Sequence, residues 1–453
     1  MFLYIDPGTG SMLFTILIGV LSAGIFALRN LIVRMRFMAG AGAKAQADLK
    51  KLPYVIFTDS GRYWNTFGPI CDEFEKRKQP LVYMTASPDD PALEKTYEYV
   101  KCEFIGEGNR AFARLNVLNA GVVLSSTPGL DVYQWKRSRD VNHYAHILHA
   151  ANDATAYRMF GTDYFDSVLL SGDFQVQQIR ELERLRELPA KELPVVGMVY
   201  LDQIRERIQK ETPAAKTKET PGAETNERTE RTEKTERTER TEGPERTVLL
   251  APSWGSNSIF NRYGEQMIRA LLETGYHIIV RPHPQSYVSE KKMLDDLMAA
   301  FPAGEQLEWN RDNDNFSVLS RSDILISDYS GVMFDFALAF ERPVIYADTS
   351  FDNSVYDACW LQEEMWTFRI LPKIGQKLTF TNAEDLKRLI DECLTGDRFR
   401  EGIALARAQA WSHPGEGAKR TVDFLLETGA KLGTAGKPVE QDTPAKSAEQ
   451  VEG

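Results

Sequence analysis

From residue 53 onward, short apolar runs alternate with longer stretches whose apolar positions return at helical spacing. "YVIFTD" (54–59) is a run of strand formers; a helical pattern follows through Phe74, and then comes "PLVYMTAS" (80–87). "GVVLSSTP" (121–128) and "SVLLSG" (167–172) are further apolar runs, with helix-like segments between them. Such alternation predicts a parallel sheet covered by helices on both faces. A second series opens with "TVLLAPSW" (247–254) and "YHIIVRPHP" (276–284), and continues through "QLEWN" (306–310), Asp323–Ser327 and "RPVIYAD" (342–348). The expected class is α/β: two βαβ, Rossmann-like domains facing a central cleft, with ligands outside the carboxyl ends of the strands.

Three stretches depart from this pattern. Residues 11–28, "SMLFTILIGVLSAGIFAL", form a nearly uninterrupted apolar run of bilayer length. Arg29, Arg34, Arg36, Lys44, Lys50 and Lys51 follow it, whereas Asp6 is the one charged side chain before it. That asymmetry predicts a single transmembrane helix with the bulk of the chain in the cytoplasm; a buried core helix is the plainer alternative. The stretch containing "NERTERTEKTERTERTEGPERT" repeats acid, base and threonine with nothing apolar to build a core, so it is expected to be a solvated linker. A polar tail closes the chain. The expected segments are 1–10 outside the membrane, 11–30 as anchor, 31–52 as a basic juxtamembrane stretch and 53–208 as the first domain. A linker at 209–246, a second domain at 247–431 and a disordered tail at 432–453 complete them.

Composition narrows the function. A formal net charge of −11 argues against wholesale nucleic-acid binding, which needs a basic surface. Cys71, Cys102, Cys359 and Cys393 are scattered, with neither a disulfide framework nor zinc-ligand spacing. No metal site is expected among the side chains, and no cofactor, though a divalent cation could accompany a bound phosphate group.

The chemistry is expected at strand ends. In "ILISDYSGVMFDFALAFERPVIYAD" (324–348), Ser327, Ser330 and Gly331 lie between a buried strand and a helix. A helix start offers free N–H groups and a positive dipole end to phosphate, while an ordinary cap by Ser330 or Asp328 explains the same residues. "RPHP" supplies Arg281 and His283 at another strand end, suited to phosphate oxygens. "FTDSGRYW" (57–64) brings Asp59, Ser60 and Arg62 to a strand-to-helix turn on the presumed acceptor side, where capping is equally consistent. His143, His146 and His149 are either the residues of a strand ending at His149 or one helical face with a structural or metal-binding role. Trp360 and Trp366 are expected to pack the closing helices of the second domain.

"RPHP", followed by "SRSDILISDYSGVMFDFALAFERPVIY", resembles the CDP-glycerol glycerophosphotransferase family of teichoic-acid primases and polymerases, over roughly 247–348. The resemblance implies a GT-B-type fold and a donor diphosphate site in the second domain. Arg281 and His283 match the family's Arg-x-His-Pro motif, Ser327 and Ser330 match hydroxyls beside the phosphates, and Asp335 matches the acid of the Phe-Asp-Phe that follows. It also implies a histidine general base in the first domain. His149 is the choice, with "FDSVLLSG" and "VVGMVYLDQI" following in family order, and His146 is a further acceptor-side residue. The chain departs from the family at Ala150, where glycine is usual, and at Gly331, where a second serine is frequent. The implied activity is transfer of glycerol phosphate, or a related polyol phosphate, from a CDP-linked donor to a lipid-linked or glycan acceptor hydroxyl at the bacterial plasma membrane. A nucleotide-sugar glycosyltransferase and a non-catalytic, membrane-tethered assembly module are the rival expectations.

Overall fold

Strands buried on both faces read as continuous hydrophobic runs, because helices cover each side of a parallel sheet. β4 (Ala120–Ser125) shows this directly, with all six residues buried. A computed structural model describes residues 51–211, 246–312, 314–328, 330–347 and 352–434. The expected membrane anchor, most of the linker and the tail lie outside the described residues. Among the described residues no helix is long and apolar enough to cross a membrane.

The first domain contains β1 (Leu52–Thr58), β2 (Leu81–Thr85), β3 (Val100–Phe104), β4, β5 (Val141–Ile147) and β6 (Ser167–Leu169). All pair in parallel in the order β3-β2-β1-β4-β5-β6. Its helices are α1 (Trp64–Lys76), α2 (Asn109–Leu115) and α3 (Phe174–Arg186), and α4 (Val199–Glu211) follows. The second domain runs through β7 (Thr247–Leu250), α5 (Ile259–Tyr263), α6 (Glu265–Glu273), β8 (His277–Val280), α7 (Ser286–Ser289), α8 (Lys291–Ala300) and β9 (Leu307–Trp309). It continues through α9 (Phe316–Arg321), β10 (Ile324–Ser327), α10 (Val332–Phe340), β11 (Val344–Ala347), α11 (Trp366–Ile374) and β12 (Gly375–Leu378). The last helices are α12 (Ala383–Leu394), α13 (Arg400–Ala410) and α14 (Gly417–Lys431).

Its sheet order, β12-β11-β10-β7-β8-β9, is the first domain's scheme repeated. Each sheet therefore reverses direction once, between β1 and β4 and between β7 and β10. Crevices at such reversals are where open α/β sheets bind ligands.

The helices do not respect the boundaries expected from sequence. α4 continues past residue 208 and buries Leu201 and Ile204 in the second domain's core while packing along α1. Conversely, α14 does not cover the second sheet. Ser412 N–H donates to Ser171 O at 2.9 Å as the chain crosses back, and Val422 and Leu425 join the first domain's core. Gly429 lies so close to Tyr54 that a β-carbon there would collide with the phenol oxygen. An amphipathic period states that a helix buries one face, but not which sheet receives it.

For the tryptophans the expectation holds for Trp366 and is corrected for Trp360. Trp366 is buried in the second domain's core, packs on Phe334 and donates through Nε1 to Gln409 of α13 at 2.7 Å, and its other face stacks on Phe174 of α3 with ring centroids 4.6 Å apart. Trp360 lies against the Arg186 guanidinium of α3, 4.9 Å from the ring centroid.

Candidate active site

Strand ends of the second domain build one wall of the cleft. β8 delivers Arg281, whose guanidinium donates to Asn310 Oδ1 and, at 2.6 Å, to Asp312 O. These bonds hold the fork in a fixed plane, as bidentate anion recognition requires. At His283, Nδ1 accepts the Gln285 N–H at 3.1 Å, which leaves Nε2 to carry the ring proton. Burial, then the Arg62 charge, lower the pKa of His283 below the usual histidine value. The neutral ring is thus an N–H donor, with no need of protonation.

The end of β10 and the start of α10 contribute next. Ser330 and Gly331 line the cleft just before α10, and Asp335 lines it from the helix's first turn. Ser327 does not line it. Its side chain is fully buried and donates to Ala251 O at 2.6 Å, stitching β10 to the segment after β7. The expected phosphate contact by Ser327 is corrected accordingly: the last position of a central strand points between layers. Gly331 has an ordinary helical backbone, φ −57°. A β-carbon there would meet Ala150 Cβ at 3.6 Å, a normal contact, so the two departures from the family pattern face each other across the cleft.

The opposite wall comes from the first domain. β5 carries two of the three histidines, so a shared helical face is excluded. His143 Nε2 lies 2.9 Å from Ser167 Oγ, and its ring packs against Phe424 of α14. His146 is fully buried between Tyr157 and Phe165, with neither ring nitrogen hydrogen-bonded. It lies beneath the cleft surface, not on the acceptor side as expected. His149, two residues past the strand, lines the cleft. Tyr157 Oη is 3.2 Å from His149 Nδ1, and Tyr63 packs on the ring at 5.0 Å. Burial and the Arg62 charge push the His149 pKa down to about 4, so the imidazole is neutral and able to take a proton.

From the 57–64 turn, Arg62 reaches the cleft. Ser60 stands behind it, its Oγ accepting from Arg62 Nε at 3.2 Å and from Arg62 N at 3.4 Å. Asp59 opens instead into a separate hollow with Ser87, Asp89 and Glu107.

The cleft has two lobes, of about 640 Å³ and about 580 Å³. Ligand sites are of this size. His149, Asn152, His283, Ser330 and Gly331 line both lobes and so mark the waist between them. Arg62, Arg281 and Arg311 line the first lobe; Trp254, Tyr356, Met365 and Phe368 line the second. A cation-rich lobe ending at a neutral histidine from each domain can hold a polyphosphate and bring a hydroxyl to it. Among the described residues, no three ligating side chains gather into a metal cage.

Residues 223–358 match the model of the CDP-Glycerol:Poly(glycerophosphate) glycerophosphotransferase family. Over that span the chain is similar to CDP-glycerol glycerophosphotransferases. The matched span holds Arg281, His283, Ser330, Gly331 and Asp335, the second domain's wall of the cleft, and does not include His149. No curated protein matches the chain. The wall teichoic acid polymerase TagF resembles it with a TM-score of 0.53 at 14% identity, over 91% of this chain and 98% of that one. UDP-GlcNAc 2-epimerase from Neisseria meningitidis, bound to UDP-GlcNAc, gives 0.50 at 11% identity, over 83% and 99%. The S. aureus MnaA–UDP co-structure gives 0.50 at 12% identity, over 84% and 98%. At these identities the likeness establishes the fold: two Rossmann-like domains of GT-B type.

Several residues at this cleft carried no signal in the sequence. Asn152 lies in an irregular loop, Tyr200 enters from α4, far along the chain from either motif, and Tyr157 stands behind His149 without lining the cleft itself. Tyr63 adjoins the turn already singled out and was the nearest to being legible.

Proposed function

We propose that this protein transfers glycerol phosphate, or a closely related polyol phosphate, from a CDP-linked donor to the hydroxyl of a lipid-linked or glycan acceptor. The observation that carries the reading is the waist of the cleft. There a neutral histidine of the first domain meets His283 and Ser330, with Arg281 beside them in the first lobe, and these three belong to the segment that matches the glycerophosphotransferase family model.

The diphosphate would lie in the cationic lobe, against Arg281, His283 Nε2–H, Ser330 and the start of α10. The acceptor oxygen attacks the β-phosphorus, and His149 takes its proton. The bond from the β-phosphorus to the bridging oxygen breaks, and CMP leaves with that oxygen and its charge. Arg281, the His283 N–H and the helix start offset the charge that develops, the electrostatic mode expected of phosphoryl transfer. Asp335 is assigned to the donor side. Residues 11–28 would anchor the enzyme so that the cleft lies beside a membrane-borne acceptor on the cytoplasmic face, in keeping with the family's place in cell-envelope chemistry.

Purified protein given CDP-glycerol and a lipid-linked acceptor should release CMP. His149→Ala and His283→Ala should each lower kcat by about a hundredfold or more. Release of UDP from UDP-sugars, with none of CMP, would replace this reading with glycosyl transfer.

A further inference from the structure

Residues 148–160 leave the first sheet and run across to the second domain, where they are fastened by backbone pairing. Ala358 N–H donates to Thr155 O at 3.0 Å, Asp357 N–H to Tyr157 O at 2.9 Å, and Met159 N–H to Val355 O at 3.1 Å. Arg158 and Tyr356 form an antiparallel bridge in the middle of this crosspiece. Side chains reinforce it. Asp357, fully buried, accepts the Phe160 N–H at 2.8 Å and the Arg186 guanidinium at 2.6 Å. Arg186 also reaches Asp163 at 2.8 Å and is held between the rings of Phe160 and Trp360. A guanidinium with two carboxylates and two aromatic faces is a rigid clamp.

The crosspiece lies well outside the donor motif, yet it fixes one side chain that touches the chemistry. Tyr157 has its backbone carbonyl in the pairing and its ring against both His146 and His149. Its Oη is the hydrogen-bond partner of His149 Nδ1. A neutral imidazole carries one proton, and the partner of one nitrogen decides which nitrogen keeps the lone pair. We propose that Tyr157 is a positioning residue: its Oη accepts the His149 Nδ1–H, leaving the Nε2 lone pair as the base, and the crosspiece between the domains holds it there. The reverse arrangement, with the phenol donating to Nδ1, would place the proton on Nε2 and disable the base. Domain contact is thereby coupled to the tautomer of His149. The inference rests on His149 being the base of the proposed transfer.

Tyr157→Phe keeps the ring and its packing and removes the oxygen, so the fold should persist. In the full-length protein with ¹⁵N-labelled histidine, the His149 ring should show a protonated Nδ1. In Tyr157→Phe that signal should move toward the other tautomer. In turnover, the same variant should lose about tenfold to a hundredfold in kcat, with the donor KM changed by less than about threefold. An unchanged tautomer, or an unchanged kcat, overturns the proposal. The two readings fail separately. Absence of CMP release from the wild-type protein would remove the transferase reading, while the nitrogen signals would still report what Tyr157 does.

Discussion

Ser327 and Ser330 stand three residues apart and do unlike work. The first ties two strands together inside the sheet, and the second meets the cleft. Asp335 illustrates a different cost of placing polar groups at a helix start. Burial alone raises its pKa to about 7, so near neutrality the carboxyl is about half protonated and faces an anionic ligand with reduced repulsion. The linkage follows from that direction. Above the unfolded carboxyl value near 4, the native state keeps a proton that the unfolded state has released. Stability therefore falls as pH rises toward 7 and levels off beyond it. An amide at this position cannot ionise, so Asp335→Asn should gain roughly 3 kcal/mol over wild type between about pH 5 and about pH 8. Urea unfolding of both proteins across that range measures this, and parallel curves would show that Asp335 is solvated. The residues of the site were legible to the extent that they were local. Arg281, His283 and Ser330 sit next to strand ends that their own apolar runs announce. Ser327 was misassigned because composition cannot tell a hydroxyl at the mouth of a crevice from one turned between layers. Tyr200 and Tyr157 were invisible, because only tertiary contact brings the first to the cleft and the second to His149.

Elements differ in how far their surroundings are written into them. The central strands announce themselves because both faces are buried. The edge strands β3 (sequence VKCEF) and β12 (sequence GQKL) are too polar to stand out, since each has a neighbour on one side only. α14 presents the converse problem: its existence was plain and its location was not. Asp202 on α4 determines where it starts, accepting from Trp411 Nε1 at 2.9 Å, Gly415 N at 2.6 Å and Gly417 N at 2.9 Å. One carboxylate thus anchors the turn that carries the chain back to the first domain. Asp202→Ala should cost about 2 to 3 kcal/mol, because it strands several partly buried donors at once. Hydrogen exchange offers a local readout: residues 417–431 should lose protection before the first sheet does. Unaltered exchange in α14 would mean that its packing against α1, and not the Asp202 anchor, sets its stability.

The described residues hold two copies of one sheet scheme, and the candidate site lies where the copies meet. His149 belongs to one domain and Arg281 to the other, so the geometry of the waist depends on what joins them. Alongside the crosspiece, α4 and the Trp366–Phe174 stack, one buried carboxylate contributes to that joint. Asp153 of the first domain accepts from Trp366 N at 2.7 Å, Thr367 N at 2.9 Å and Thr367 Oγ1 at 2.6 Å, capping α11 of the second domain. Gln178 Nε2 holds the same carboxylate from behind at 2.6 Å. A helix start is positive and short of acceptors, so an anion there satisfies donors that nothing else nearby would reach. Asp153 is also four residues from His149, so the loop bearing the proposed base is pinned to the donor domain at that point. Asp153→Asn keeps the volume and replaces one acceptor oxygen with a donor amide, in a place that supplies donors only. The domains should then loosen while each sheet remains intact. The single calorimetric transition should broaden or split, and kcat should fall by at least about tenfold, since about 1.4 kcal/mol of lost positioning suffices for that. The proposed donor contacts lie within the second domain, so the affinity for CDP-glycerol, measured by titration calorimetry, should change by less than about threefold. One sharp transition with an unchanged kcat would show that the interface holds without this cap. A donor affinity that falls as steeply as kcat would show that the two domains bind the donor jointly.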